Sequence, residues 1–120
     1  FLRGKILETF GNKSIVTEEL VSEIESIVNS KSNAIRIIKM AKSATRQNLL
    51  HSIHAIVNKT LLIWGRDDSI TPPFVAEKFH QLMPNSELAW IEDCGHAPMM
   101  EYPKEFTEAM LPFLDKVYAS

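Results

Sequence analysis

Cysteine is nearly absent. Cys94 stands alone, so no internal disulfide can form, and a reducing, cytoplasmic compartment is expected. Long apolar runs are missing as well. None approaches the roughly 18–20 residues of a membrane span, no secretory leader is visible, and no membrane partner is expected. No Lys/Arg cluster stands out, and a net charge of −2 argues against a nucleic-acid or anionic-membrane partner. Glycine is scarce, at Gly4, Gly11, Gly65 and Gly95. None of these frames a Gly-x-Ser-x-Gly turn, the device that lifts a serine nucleophile out of a strand-to-helix bend.

What is present is ordinary globular material, 45% apolar and 23% charged. The most informative stretch is Leu61 to Pro73, LLIWGRDDSITPP. Leu61, Leu62, Ile63 and Trp64 make an apolar run of strand length, ended by Gly65, and such a run suits a strand buried on both faces of a parallel sheet. Asp67 and Asp68 follow at the carboxyl end, where open parallel sheets gather their functional groups. Thr71 is expected as the N-cap of a helix that begins at Pro72. The pattern then repeats. Glu87 to Ile91 reads as a second strand, and Glu92, Asp93, Cys94, Gly95 and His96 lie just beyond its end. On neighbouring strands, a carboxylate and an imidazole come within reach. The carboxylate fixes the ring tautomer and stabilises the imidazolium formed when the other nitrogen takes a proton.

These residues carry a resemblance. The segment from Thr60 to about Leu114 resembles the C-terminal end of α/β-hydrolase-fold enzymes, where one apolar strand leads to G-x-x-D-x-x-x-P and a second leads to G-H. Here the motifs are Gly65-Arg66-Asp67-Asp68-Ser69-Ile70-Thr71-Pro72 and Gly95-His96. The resemblance places the triad acid on Asp68 and the base on His96, with Asp67 as the rival acid. The wording WGRDD, CGH and MEYP is most like the carbon–carbon bond hydrolases, esterases, haloperoxidase-like and epoxide hydrolase members. It implies a small apolar carbonyl substrate and no cofactor.

The fold expected is α/β. It is a partial α/β-hydrolase fold of two parallel strands with flanking helices, preceded by N-terminal lid helices. Phe1 to Asn12 reads as a helix remnant ending at Gly11. Helices are expected from about Glu18 to Asn29, capped by Thr17, and from about Asn33 to Ser43, with a short helical stretch from Thr45 to Ser52. Periodicity alone makes these core-packing helices; the resemblance makes residues 1–45 the end of a lid and 46–120 core. A helix from Phe74 to Met83 joins the strands. A final helix starts near Pro103, with Glu101 at the positive end of its dipole and a kink or break at Pro112.

The remaining candidates have plainer readings. His51, His54 and His80 have no ligand-spaced partners, so they read as solvated or partly packed and no metal site is expected. Cys94 reads as a buried, unreactive thiol. Met99 and Met100 suit a pocket mouth or the core equally well. The chain opens on Phe1 and has room for two of the family's roughly eight strands, so it is expected to be an excerpt whose nucleophile lies elsewhere. Alone it is expected to be inactive. Alternatives are a scaffold, a fragment that self-associates or pairs with a missing N-terminal part through its open sheet edge, and a parent that uses an aspartate nucleophile.

Overall fold

The computed structural model describes residues 1–47 and 49–119. The helices are α1 (Leu2–Thr9), α2 (Glu18–Val28), α3 (Lys31–Arg46), α4 (Pro73–Leu82), α5 (Pro98–Glu101) and α6 (Pro103–Ala119). The strands β1 (Thr60–Gly65) and β2 (Ser86–Ile91) pair in parallel. Their register sets Thr60 opposite Ser86, Trp64 opposite Trp90 and Gly65 opposite Ile91. Both strands therefore end at the same level, and the loops that follow leave side by side. Pairing continues beyond the strands, with Arg66 N–H donating to Ile91 O and Asp67 N–H to Cys94 O, each at 2.9 Å.

That continuation brings three backbone segments too close for side chains. A Cβ on Gly65 would lie 2.0 Å from Gly95 O and 2.4 Å from Cys94 O. One on Gly95 would lie 2.4 Å from Gly11 N and 2.6 Å from Thr9 O. Glycine is needed here for close approach rather than for a special φ, since no glycine among the described residues has a positive φ. The positive φ in this loop belongs to Asp93, at 54°, a conformation that Asp tolerates better than most residues.

The N-terminal segment joins the same assembly. Ile6, Phe10 and Val21 form a buried cluster between α1 and α2, and Ala97 packs against it. Thr17 caps α2 as expected, accepting from Leu20 N–H at 3.1 Å. At the other side of the sheet end, Trp64 Nε1–H donates to Thr71 O at 2.9 Å and its ring meets Phe79 edge-on at 6.2 Å, which pins the 65–71 turn to α4.

Several expectations change. The β1 run is half-buried rather than covered on both faces, and among the described residues the sheet has two strands, so each has one unpaired edge. Thr71 does not cap α4; Pro72 takes the cap position without a side-chain bond, because the Thr71 hydroxyl is turned to Asp68. The helical stretch expected from Thr45 to Ser52 includes Asn48, outside the described residues; α3 ends at Arg46, and a 3₁₀ turn forms later at Ile53–Ala55. α6 runs through Pro112 without a break. Its packed stripe, Phe106, Met110, Phe113, Leu114 and Val117, continues on both sides of the exposed proline and holds the helix together. Cations do concentrate on α3, which carries Lys31, Arg36, Lys39, Lys42 and Arg46 and no acid. Its apolar side is uncovered, with Ile38 54% and Met40 71% exposed.

The close approach separates two glycine substitutions of identical chemistry. Gly65→Ala should cost about 3 kcal/mol or more in denaturant unfolding, because the added carbon meets backbone that cannot move aside. Gly4→Ala, on an exposed turn of α1 with nothing within 4 Å, should stabilise by roughly 0.5–1 kcal/mol. Equal effects at the two positions would contradict the packing described.

Candidate catalytic site

Asp68 and His96 meet where the two loops leave the sheet. His96 Nδ1 lies 2.9 Å from Asp68 Oδ2. A carboxylate can only accept, so Nδ1 carries the proton and Nε2 is left as the basic nitrogen. Among the described residues nothing hydrogen-bonds Nε2. The acid is buried and the base is reachable, with side chains 4% and 42% exposed. Together with Thr71 and Met99 they border a cleft of about 130 Å³.

Local backbone aims the carboxylate. Asp68 Oδ1 accepts from the N–H groups of Ile70 and Thr71, both at 2.9 Å, an Asx-type turn built by the residue itself. Oδ2 then points outward and accepts from the Thr71 hydroxyl at 2.8 Å as well as from the imidazole. The hydroxyl also lies 3.2 Å from Nδ1, so three side chains close one cluster. Burial pushes the Asp68 carboxyl up, but the bonds from His96, from Thr71 and from Ile70 N–H together outweigh it. The net result holds Asp68 below the ordinary aspartate value of 3.8.

His96 is held from behind. Its own N–H donates to Thr9 O at 2.8 Å. Gly95 N–H reaches both carboxylate oxygens of Glu101 at 3.0 Å, and Ala97 N–H reaches one at 3.3 Å. Glu101 Oε2 also accepts from Asn12 N–H at 2.7 Å. Glu101 is 4% exposed and ends α5, just before the start of α6, with its carboxylate on these N–H groups. The available signal was its place one turn after Ala97, where a glutamate can reach back to free N–H groups at a helix start.

The other candidates lie apart. Asp67 enters the loop contact through its backbone, and its side chain is exposed. Arg66 stacks over Trp90 at 4.1 Å and pairs with Glu92 at 3.2 Å on the surface. Cys94 is fully buried, and burial, then the negative charges of Glu101, Asp68 and Asp67, push its thiol up to about 12, which suits an inert thiol. His80 Nδ1 meets Ser86 Oγ at 2.9 Å, while His51 and His54 are exposed. Met99 borders the cleft; Met100 does not.

The lowered Asp68 carboxyl fixes a pH dependence. Because the folded value is below the unfolded one, the unfolded chain binds the proton first on acidification. The stabilisation is complete above the ordinary value of 3.8 and is lost as pH falls through the folded value. Thr71→Val removes one bond that lowers it. The carboxyl titration, followed by NMR, should move up, and neutral-pH stability should fall by about 1–3 kcal/mol. An unmoved titration would show that the hydroxyl does not bond the carboxylate.

Comparison with known proteins places the fold. Residues 10–103 match the alpha/beta hydrolase fold family. A 2-hydroxy-6-oxononadienedioate/2-hydroxy-6-oxononatrienedioate hydrolase of a Pseudomonas species is 30% identical over 103 residues, 84% of this chain and 36% of that protein. A 2-hydroxy-6-oxo-6-(2'-aminophenyl)hexa-2,4-dienoic acid hydrolase of Metapseudomonas resinovorans is 40% identical over 57 residues, 48% of this chain and 20% of that one. Among solved structures, an alpha/beta hydrolase enzyme from the metagenome of Mar Chica lagoon sediments superposes with a TM-score of 0.73 at 38% identity. It is matched over 86% of this chain and 47% of its own. The chain thus spans well under half the length of the curated relatives it matches. With its family match, its paired parallel strands and an acid and a histidine meeting at their ends, the chain belongs to the alpha/beta hydrolase fold family.

Proposed function

We propose that this chain supplies the acid and the base of a cofactor-independent hydrolase acting on esters, or on carbon–carbon bonds beside a carbonyl, in small apolar compounds. The observation that carries this reading is the 2.9 Å contact between His96 Nδ1 and the buried carboxylate of Asp68. His96 Nε2 takes the proton of a nucleophile that lies outside these 120 residues, and Asp68 stabilises the resulting imidazolium. The ring then returns the proton to the leaving group, and a water activated in the same way releases the product. Residues 1–45 are read as the end of a lid over the site and 46–120 as core. The lone buried thiol of Cys94 suits a reducing cytoplasm. The relatives named above are hydrolases named for 2-hydroxy-6-oxo dienoic, dienedioic and trienedioic acids, which supports the carbon–carbon branch.

Two measurements test this. The isolated chain should hydrolyse neither esters nor ring-fission dienoates; turnover that His96→Ala removes would contradict the missing nucleophile. A chimera in which residues 60–119 replace the matching segment of the Mar Chica hydrolase should be active. It should lose about 10³-fold or more in kcat on His96→Ala and a similar amount on Asp68→Asn. A chimera indifferent to both changes would end the proposal.

A second reading concerns association. Each described strand has a partner on one side only, and Ile38 and Met40 are among many exposed apolar side chains. An open apolar edge favours pairing with another chain. Sedimentation of the isolated chain should show concentration-dependent assembly; a monomer at all concentrations would contradict it.

A further inference from the structure

We propose that Glu101 is the positioning residue for His96, setting the direction in which the imidazole leaves the backbone. The inference rests on the reading of His96 as the base. Three consecutive N–H groups surround the histidine, at Gly95, His96 and Ala97, and each has a designated acceptor. The outer two go to the Glu101 carboxylate and the middle one to Thr9 O. Peptide planes held on both sides of a residue leave its Cα–Cβ bond little freedom, and the ring is then met at Nδ1 by Asp68, which leaves Nε2 as the distal nitrogen.

The carboxylate is suited to this in a way that a neutral group is not. Burying a charge is costly unless hydrogen bonds compensate. Here every described donor that faces Glu101 is an N–H, two from the histidine loop and one from Asn12. An ionised carboxylate offers two accepting oxygens and no donor. A glutamine of the same shape would turn an NH₂ toward one of those N–H groups and lose that bond. The Asn12 contact gives the arrangement its reach, because the N-terminal segment and the histidine loop share a single anchor. Asn12 Nδ2 also donates to Glu101 O at 3.4 Å.

The experiment uses the full 120-residue chain labelled with ¹⁵N. Long-range ¹H–¹⁵N correlations report which ring nitrogen of neutral His96 is protonated, and amide exchange reports the N–H groups of Gly95 and Ala97. The wild type should hold the Nδ1–H tautomer and protect both amides. Glu101→Gln should speed exchange at both by at least tenfold and shift the ring toward a mixture containing Nε2–H, while β1 and β2 amides keep their positions. Glu101→Asp, with the charge retained on a shorter arm, should fall between. Unchanged tautomer and exchange in Glu101→Gln would overturn the proposal. Should that variant unfold, Glu101→Asp decides on the same two signals, and unfolding of both would overturn positioning in favour of a purely structural role. Asp68→Asn separates the underlying reading: it should release the tautomer and leave Gly95 and Ala97 protected. A tautomer insensitive to Asp68→Asn would defeat the pairing itself, with the amide response to Glu101→Gln still legible.

Discussion

Backbone meets backbone at Gly65, Gly95 and Gly11, and the rest of the site depends on that contact. Hydrogen in place of Cβ lets the end of β1, the histidine loop and the segment after α1 lie against one another. The loop then continues the sheet through the Asp67 N–H to Cys94 O bond. With the two strands in register, Asp68 and His96 stand a few residues beyond paired ends, and a side chain from each spans what is left. A methyl group at either central glycine would move one loop relative to the other by more than a hydrogen bond tolerates.

Around this contact, charge is arranged by depth. Asp68 and Glu101 are both buried carboxylates, and each has its lone pairs committed to N–H or O–H donors. Asp68 turns one accepting oxygen toward the cleft; Glu101 turns both toward backbone. The first can stabilise a charge that appears on the imidazole, while the second holds the loop that carries it. Cys94 is fully buried, and burial together with the negative charges of these acids keeps its thiol protonated. The exposed carboxylate of Asp67, one residue from the acid, takes no part.

Much of this was legible in the residues because the signals are local. An apolar run closed by glycine marks each strand end or its following loop, and a helix of the length from Phe74 to Met83 demands a parallel return. The α/β fold class and the meeting of a carboxylate with an imidazole beyond the strand ends follow from those signals. That the carboxylate is residue 68 rather than 67 rests on the G-x-x-D-x-x-x-P resemblance, and Asp68 is the one in contact with His96. The parts that did not show depend on distant partners. Nothing near Glu101 announces that Asn12, 89 positions away, donates to it. Thr71 has the chemistry of a helix cap, and its hydroxyl is drawn instead to a carboxylate three residues back. Pro112 breaks the local rule for a helix interior, and packing on both sides of it overrides that rule. α3 has an amphipathic pattern, yet among the described residues little packs on its apolar side. Periodicity predicts a helix without predicting its cover.

The central claim is that three glycine backbones touch and thereby set the acid opposite the base. Nuclear Overhauser spectra of the chain test it most directly. The account predicts cross-peaks from Gly65 Hα to the 94–96 loop and from Gly95 Hα to Gly11 N–H. A well-dispersed spectrum with both strands formed but neither set of cross-peaks would contradict it.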